Sequence, residues 1–261
     1  MKETSASNQS ARAFTLVELL AVLVVVAMLF GLAVPALARA KIKSPAAGCL
    51  SHLRQLMAAW SMYKEDNNDV LVPNAPLGTQ GWISGNAQEG WGILDGNTNR
   101  NLLLSGLIIS YLQNDTSVFK CPADVVPSLN GQRLRSYSMN GQMGESGFNE
   151  DPPAVLYYKG SDITCPTPAN AFVFCDENPG SINDGYLQVN TQQGSFPDVP
   201  AAYHGTACGF SFADGHAEIH LWQTSTLDVP IISGRTYAEI GTSISNVDWV
   251  WFSQHTACNH Y

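Results

Sequence analysis

The chain has 261 residues and a net charge of −9, with 13 Lys and Arg against 22 Asp and Glu. So few basic side chains give no face for a phosphate backbone, which argues against nucleic acid as a partner. Charged residues make up only 13%, while Gly, Asn, Ser and Thr are plentiful, as suits a loop-rich, strand-containing domain outside the cytoplasm.

Residues 1–13 read as a polar, Ser-rich leader. Residues 14–34 are twenty-one positions with a single charge, Glu18. As a helix they span about 31 Å, the hydrocarbon thickness of a bilayer. Residues 14–43 are therefore expected to form a membrane-spanning helix, bent at Pro35, which lacks a backbone donor. A cleaved secretory signal fits poorly, because its apolar region is about 7–15 residues long with only positive charge before it. A plain anchor explains the length but not Glu18, since a carboxylate costs about 2.5–3.5 kcal/mol at mid-bilayer. Flanking charge leaves orientation open: Lys2, Glu3 and Arg12 precede the segment, and Arg39, Lys41 and Lys43 follow it.

Ala13-Phe14-Thr15-Leu16-Val17-Glu18 resembles the processing signal of type IV pilins and type II secretion pseudopilins. In that family a short leader is cut before a Phe, which is then N-methylated, and the fifth mature residue is Glu. Counted from Phe14, Glu18 is fifth and Pro35 twenty-second, where many pilins carry a helix-bending Pro. Ala13 departs from the Gly that usually precedes the cut. The resemblance implies processing between Ala13 and Phe14 by a prepilin peptidase at the cytoplasmic face, which places the N-terminus inside. Cleavage frees an α-amine whose ordinary pKa is about 7.7–8.0. Glu18 of one subunit can pair with that amine on a neighbour. Pairing removes the cost of lone charges in an apolar filament core and sets axial register.

Residues 44–261 read as the extracytoplasmic globular domain. Ser44 and Pro45 suit an N-cap and first helical position, so a helix break or restart is expected there. An amphipathic helix is expected over 46–66, its apolar face (Cys49, Leu50, Leu53, Leu56, Met57, Trp60, Tyr63) packing on a sheet. Asp66-Asn67-Asn68-Asp69 reads as the turn that ends it. Residues 70–101, with Trp82 and Trp91, read as a Gly/Asn-rich loop, and 101–112 as a short helix. Strands are expected over 118–124 (entering a tight turn), 135–140, 171–177 and 186–189, the last as a return strand. Residues 207–212 and 216–222 read as a hairpin around Asp214-Gly215, a strong turn signal. Trp249, Trp251 and Phe252 suggest one late strand. One long helix followed by strands gives an α+β fold with a small antiparallel sheet and long loops.

The six cysteines are Cys49, Cys121, Cys165, Cys175, Cys208 and Cys258, with no C-x-x-C pair. Fifteen full pairings are open. Cys49 reads as helix packing, and at least one disulfide is expected among the other five.

Nine residues separate His204 from Asp214-Gly215. This resembles the H-x9-DG segment of a large group of prepilin-like proteins. Cys121-Pro122-Ala123-Asp124, Ser136-Tyr137-Ser138-Met139-Asn140, and Asp176-Glu177 with Ser181-Ile182-Asn183-Asp184-Gly185 are also typical of that group. The resemblance implies a pilin-like fold and assembly role, and no activity for the segment. Read physically, Asp176, Glu177, Asn183, Asp184, His204, Asp214 and His216 could converge at one end of a sheet. They would there hold Ca2+ or another divalent ion, and some pseudopilins hold calcium in a C-terminal loop. The other reading is that the Asp and Asn side chains cap turns while His204 bonds a backbone carbonyl.

No enzyme is expected. His204 and His216 lack H-E-x-x-H spacing, and there is no G-x-S-x-G, P-loop or Rossmann glycine pattern. His220 reads as lying on a solvated strand face, His255 and His260 with Cys258 as a surface tail, and Trp222, Trp249 and Trp251 as sheet packing. The expected protein is a pilin or pseudopilin subunit of the inner membrane, later in a periplasmic or surface filament. Its implied partners are the prepilin peptidase, other subunits, an assembly platform and an ATPase. The alternative is a membrane-displayed adhesin or binding protein sorted by the same signal, with loops 73–101 and 141–170 as its surface.

Overall fold

A computed structural model of the chain describes residues 16–74, 80–84, 95–145 and 155–258; for 29–44 it describes the backbone alone. Ala13, Phe14, the leader, Trp91 and His260 lie outside these residues, as does the side chain of Pro35. The chain divides into two units, residues 1–43 and 44–261.

Helix α1 covers Leu16–Asp66, with Glu18 in its first turn, where a carboxylate meets the positive end of the helix dipole. Over residues 16–28 its large apolar side chains face solvent: Leu16 is 80% exposed and Val17 75%. Among the described residues no helix is long and apolar enough to cross a membrane. The expected span of 14–34 lies partly outside them. The restart expected at Ser44-Pro45 is not found, because α1 is continuous there. Ala36, Ala38, Ala40 and the Arg and Lys between them are strong helix formers.

In the second unit, Cys49, Leu53, Leu56, Met57 and Trp60 form a buried stripe along α1, at the three- and four-residue spacing of one helix face. The helix ends in the expected turn. Asn68 and Asp69 are left-handed, and the Asp69 amide donates to the Lys64 carbonyl at 2.8 Å.

The main sheet has five strands: β1 (Tyr137–Asn140), β2 (Phe172–Asp176), β3 (Tyr186–Leu187), β5 (Ala207–Phe212) and β6 (Ala217–Leu221), ordered β3-β1-β2-β5-β6. A second, two-stranded sheet pairs β4 (Ser195–Phe196) with β7 (Ile240–Gly241). Pairing in the main sheet is antiparallel except for β1 with β3. The structure is thus α+β and rich in antiparallel pairing. Both faces of the sheet are covered, which is why β1, β2 and β5 are buried along their whole length. Tyr137, Met139 and Phe174 join the α1 stripe in one apolar cluster. Phe172, Cys175, Cys208, Phe210 and Phe212 join another, with Phe196, Trp249 and Phe252.

The β5–β6 hairpin is where the sequence puts it. Four other elements differ. Residues 118–124 are not a strand: a 3-10 turn, Thr116–Phe119, is capped by the Asp115 carboxylate, and Pro122 then removes a ladder donor. The helix expected over 101–112 breaks at Ser105-Gly106 into α2 (Arg100–Leu104) and a 3-10 turn, Ile109–Leu112. Strand β3 pairs parallel with β1 rather than returning along β2, whose two edges are already taken by β1 and β5. The late strand is instead helix α3 (Val247–Thr256), with Asn246 as its N-cap. Cys165 and Cys258 form the disulfide, and Cys49, Cys121, Cys175 and Cys208 are free and buried.

Candidate metal centre

Successive strand residues point to opposite faces, and the end of β2 turns on this. Phe174 and Asp176 face α1, whereas Cys175 packs into the other cluster. Asp176 accepts a hydrogen bond from the Cys49 thiol at 3.2 Å and one from the Gly209 amide at 3.3 Å, both to Oδ2. Its Oδ1 is buried without a hydrogen-bond partner. His204 Nε2 lies 3.5 Å from Asp176 Oδ2 and 3.4 Å from Cys121 Sγ. The four donor atoms of Cys49, Cys121, Asp176 and His204 all lie within 4.8 Å of one another, and all four residues are buried.

Each donor is held by local structure. Cys49 belongs to the α1 stripe. Cys121 opens a tight turn in which the Asp124 amide donates to the Cys121 carbonyl at 3.0 Å. The Cys121 amide donates to Ser136 Oγ at 2.7 Å, and the Ala123 amide points at Cys121 Sγ from 3.4 Å. Asp124 is itself buried and paired with Arg133, which also donates to the Val126 carbonyl. His204 begins a turn whose middle residues, Gly205 and Thr206, are both left-handed (φ 71° and 64°), and its amide returns to the Ala207 carbonyl at 3.2 Å. Gly209 supplies room: a Cβ there would sit 2.6 Å from Cys49 Sγ and 2.9 Å from Asp176 Oδ2.

The cluster shares protons unevenly. Burial pushes the Cys121 thiol up, but a hydrogen bond from Cys49 and the neighbouring His204 outweigh it and hold Cys121 below the usual thiol range. Cys49 is raised by that same hydrogen bond, by burial and by the Asp176 charge. Burial alone would lower His204, yet its bonds to Asp176 and Cys121 and their negative charge push it up to about 9. Cys49 and His204 thus hold their protons more tightly than free side chains do, and Cys121 holds its proton less tightly. A groove of about 570 Å³, lined among others by His52, Lys120 and Pro122, reaches Cys121.

Of the seven residues read from the sequence as possible ligands, the structure brings Asp176 and His204 together. The rest lie elsewhere. Glu177 faces away from Asp176 and accepts from Ser138 Oγ and, at 2.9 Å, from Ser181 Oγ. Burial pushes its carboxyl up to about 8. Asp184 caps the Tyr186 amide at 2.7 Å, and its carbonyl accepts from Arg135. Asn183 is exposed. Asp214 and His216 bond each other at 2.6 Å on an exposed turn. Strand β5 separates them from His204, because its six residues span about 20 Å. Cys49 and Cys121 were not in the expected set. No local motif marks them: 71 intervening residues separate the two. His220 is not on a solvated face: it is half-buried and stacked on Trp251, ring centroids 3.6 Å apart.

Residues 8–34 match the family model for the prokaryotic N-terminal methylation motif. The chain thus carries a type IV pilin-like signal, and the match contains Ala13, Phe14 and Glu18. No curated protein and no solved structure matches the chain.

Proposed function

We propose that the chain is a prepilin-like structural subunit and not an enzyme. The prepilin peptidase cuts between Ala13 and Phe14, Phe14 is N-methylated, and the helix from Phe14 holds the protein in the cytoplasmic membrane. The subunit then joins other pilin-like subunits in a type II secretion pseudopilus or type IV pilus-like filament, driven by a platform protein and an ATPase. The methylation motif carries this reading. The exposed apolar start of α1 supports it, because such a surface calls for lipid or neighbouring helices to cover it. The Cys165–Cys258 disulfide suits a domain outside the cytoplasm.

The groove favours a second reading, a membrane-displayed binding protein, since it is a concave surface lined by polar and charged side chains of both signs, among them His52, Arg100, Lys120 and Asp115. Intact-mass and N-terminal analysis of the chain extracted from membranes that contain the peptidase tests the first. A chain starting at N-methyl-Phe14 supports the prepilin pathway, and an uncut N-terminus or a cut beyond Ala33 sinks it. Cross-linking in those membranes separates the two readings: a filament subunit self-associates, and a sorted binder does not.

A further inference from the structure

The geometry points to a structural zinc site formed by Cys49, Cys121, Asp176 and His204, which clamps the second half of α1 onto the sheet. Zinc bonds of about 2.0–2.3 Å in a tetrahedron place neighbouring donor atoms about 3.3–3.8 Å apart. Three of the donor pairs already stand at 3.2, 3.4 and 3.5 Å, and none exceeds 4.8 Å. Two sulfurs, an imidazole nitrogen and one carboxylate suit zinc, whereas calcium takes six to eight oxygens. Among the described residues the second carboxylate oxygen of Asp176, Oδ1, is buried without a hydrogen-bond partner, so the carboxylate keeps acceptor capacity beyond the bonds made to Oδ2. The Ala123 amide aimed at Cys121 Sγ supports a thiolate ligand. Gly209 keeps the space between Cys49 and Asp176 free of a side chain.

The four ligands come from four separate segments: α1, the turn after Phe119, the end of β2 and the turn before β5. Four protein ligands leave no open position for a substrate, so the role is structural. Bound zinc adds its binding energy to folding. The clamp stands whether or not the chain enters a filament.

The test uses the full chain, extracted in detergent and kept with a thiol-free reductant. After dialysis against metal-free buffer, zinc is added back and measured by elemental analysis, and cobalt(II) is titrated in parallel. One zinc per chain is expected. Cobalt should give the intense visible bands of a tetrahedral site with a sulfur-to-cobalt charge-transfer band. Cys121→Ser and His204→Gln should lose the zinc, while Cys175→Ala, which removes a buried thiol outside the cluster, should keep it. The wild-type cobalt spectrum stands even if a variant does not fold. The proposal is overturned if wild type holds no zinc and gives only weak octahedral cobalt bands, or if Cys175→Ala loses as much metal as Cys121→Ser. A Cys49–Cys121 disulfide in the protein as extracted without reductant would overturn it equally.

Discussion

Replacing Cys165 and Cys258 together by Ala removes a cross-link between residues 93 apart in sequence. The bond joins the end of α3 to the segment before β2. That junction also holds the hydrogen bond from the Val155 amide to the Cys258 carbonyl, at 3.0 Å. The Tyr157 hydroxyl donates to the Cys165 carbonyl. These local bonds survive the substitution, so the main loss is the restraint on the unfolded chain. Loop-closure entropy for about 93 residues gives about 4.6 kcal/mol at 25 °C, an upper figure for a site without strain. With a urea slope of about 3 kcal/mol/M for a chain of this size, the unfolding midpoint should fall by about 1.5 M. The assay is equilibrium unfolding of the full chain followed by tryptophan fluorescence, wild type against the double variant. Wild type unfolded under reductant should track the variant. Alkylation of unfolded, unreduced wild type should label four thiols, the number free in the structure. Six labelled thiols, or a midpoint shift worth under about 1 kcal/mol, would refute the reasoning.

His220 should make the domain acid-sensitive. Burial and the nearby His255 hold it down to about 4, against the pull of Asp248. Below an ordinary pKa of about 6.5 the unfolded chain takes up a proton that the folded chain refuses. Stability should therefore fall as pH drops from 6.5 towards 4 and level off below that. Because the ring is only half-buried, the loss is discounted to about 1–2 kcal/mol. His220→Gln should flatten the curve of thermal midpoint against pH over that window, and an unchanged curve would remove His220 as the cause. Asn246 Oδ1 accepts the Asp248 and Trp249 amides at 3.0 and 3.2 Å. Asn246→Ala should cost about 1 kcal/mol in urea unfolding, and a neutral result would mean that packing alone starts α3.

Legibility followed the range of the signal. The hairpin at Asp214-Gly215 could be read because a two-residue turn signal and two flanking runs lie within sixteen residues. The stripe of α1 could be read because its period is local. The end of the chain misled for a definite reason. Val247, Trp249, Val250, Trp251 and Phe252 have strand propensity. The buried Asp248 carboxylate instead accepts the Gln223 and Thr224 amides at 2.7 and 2.8 Å, and so fixes the first turn of a helix. Those amides lie more than twenty residues away, where no local pattern reaches. The neighbour of strand β3 is not legible for a related reason: its residues mark a strand, but sheet order depends on which edges are already filled.

By itself the sequence determined what a short window of side chains can specify. That is the methylation signal with Glu18 in register, the apolar start of α1, the amphipathic face ending at Asp66, the β5–β6 hairpin and the α+β class. Tertiary structure alone decided which chemistry the buried residues share. The H-x9-DG spacing suggested that His204, Asp214 and His216 act together. Yet a six-residue strand sends the last two to the far end of the sheet. His204 meets Asp176, Cys49 and Cys121 because β2 ends beside β5 and the α1 stripe lies over both. Four donors at positions 49, 121, 176 and 204 are neighbours only when strand register and helix face are satisfied together. Those are long-range constraints, set by burial of the two apolar clusters, and no spacing in the sequence encodes them.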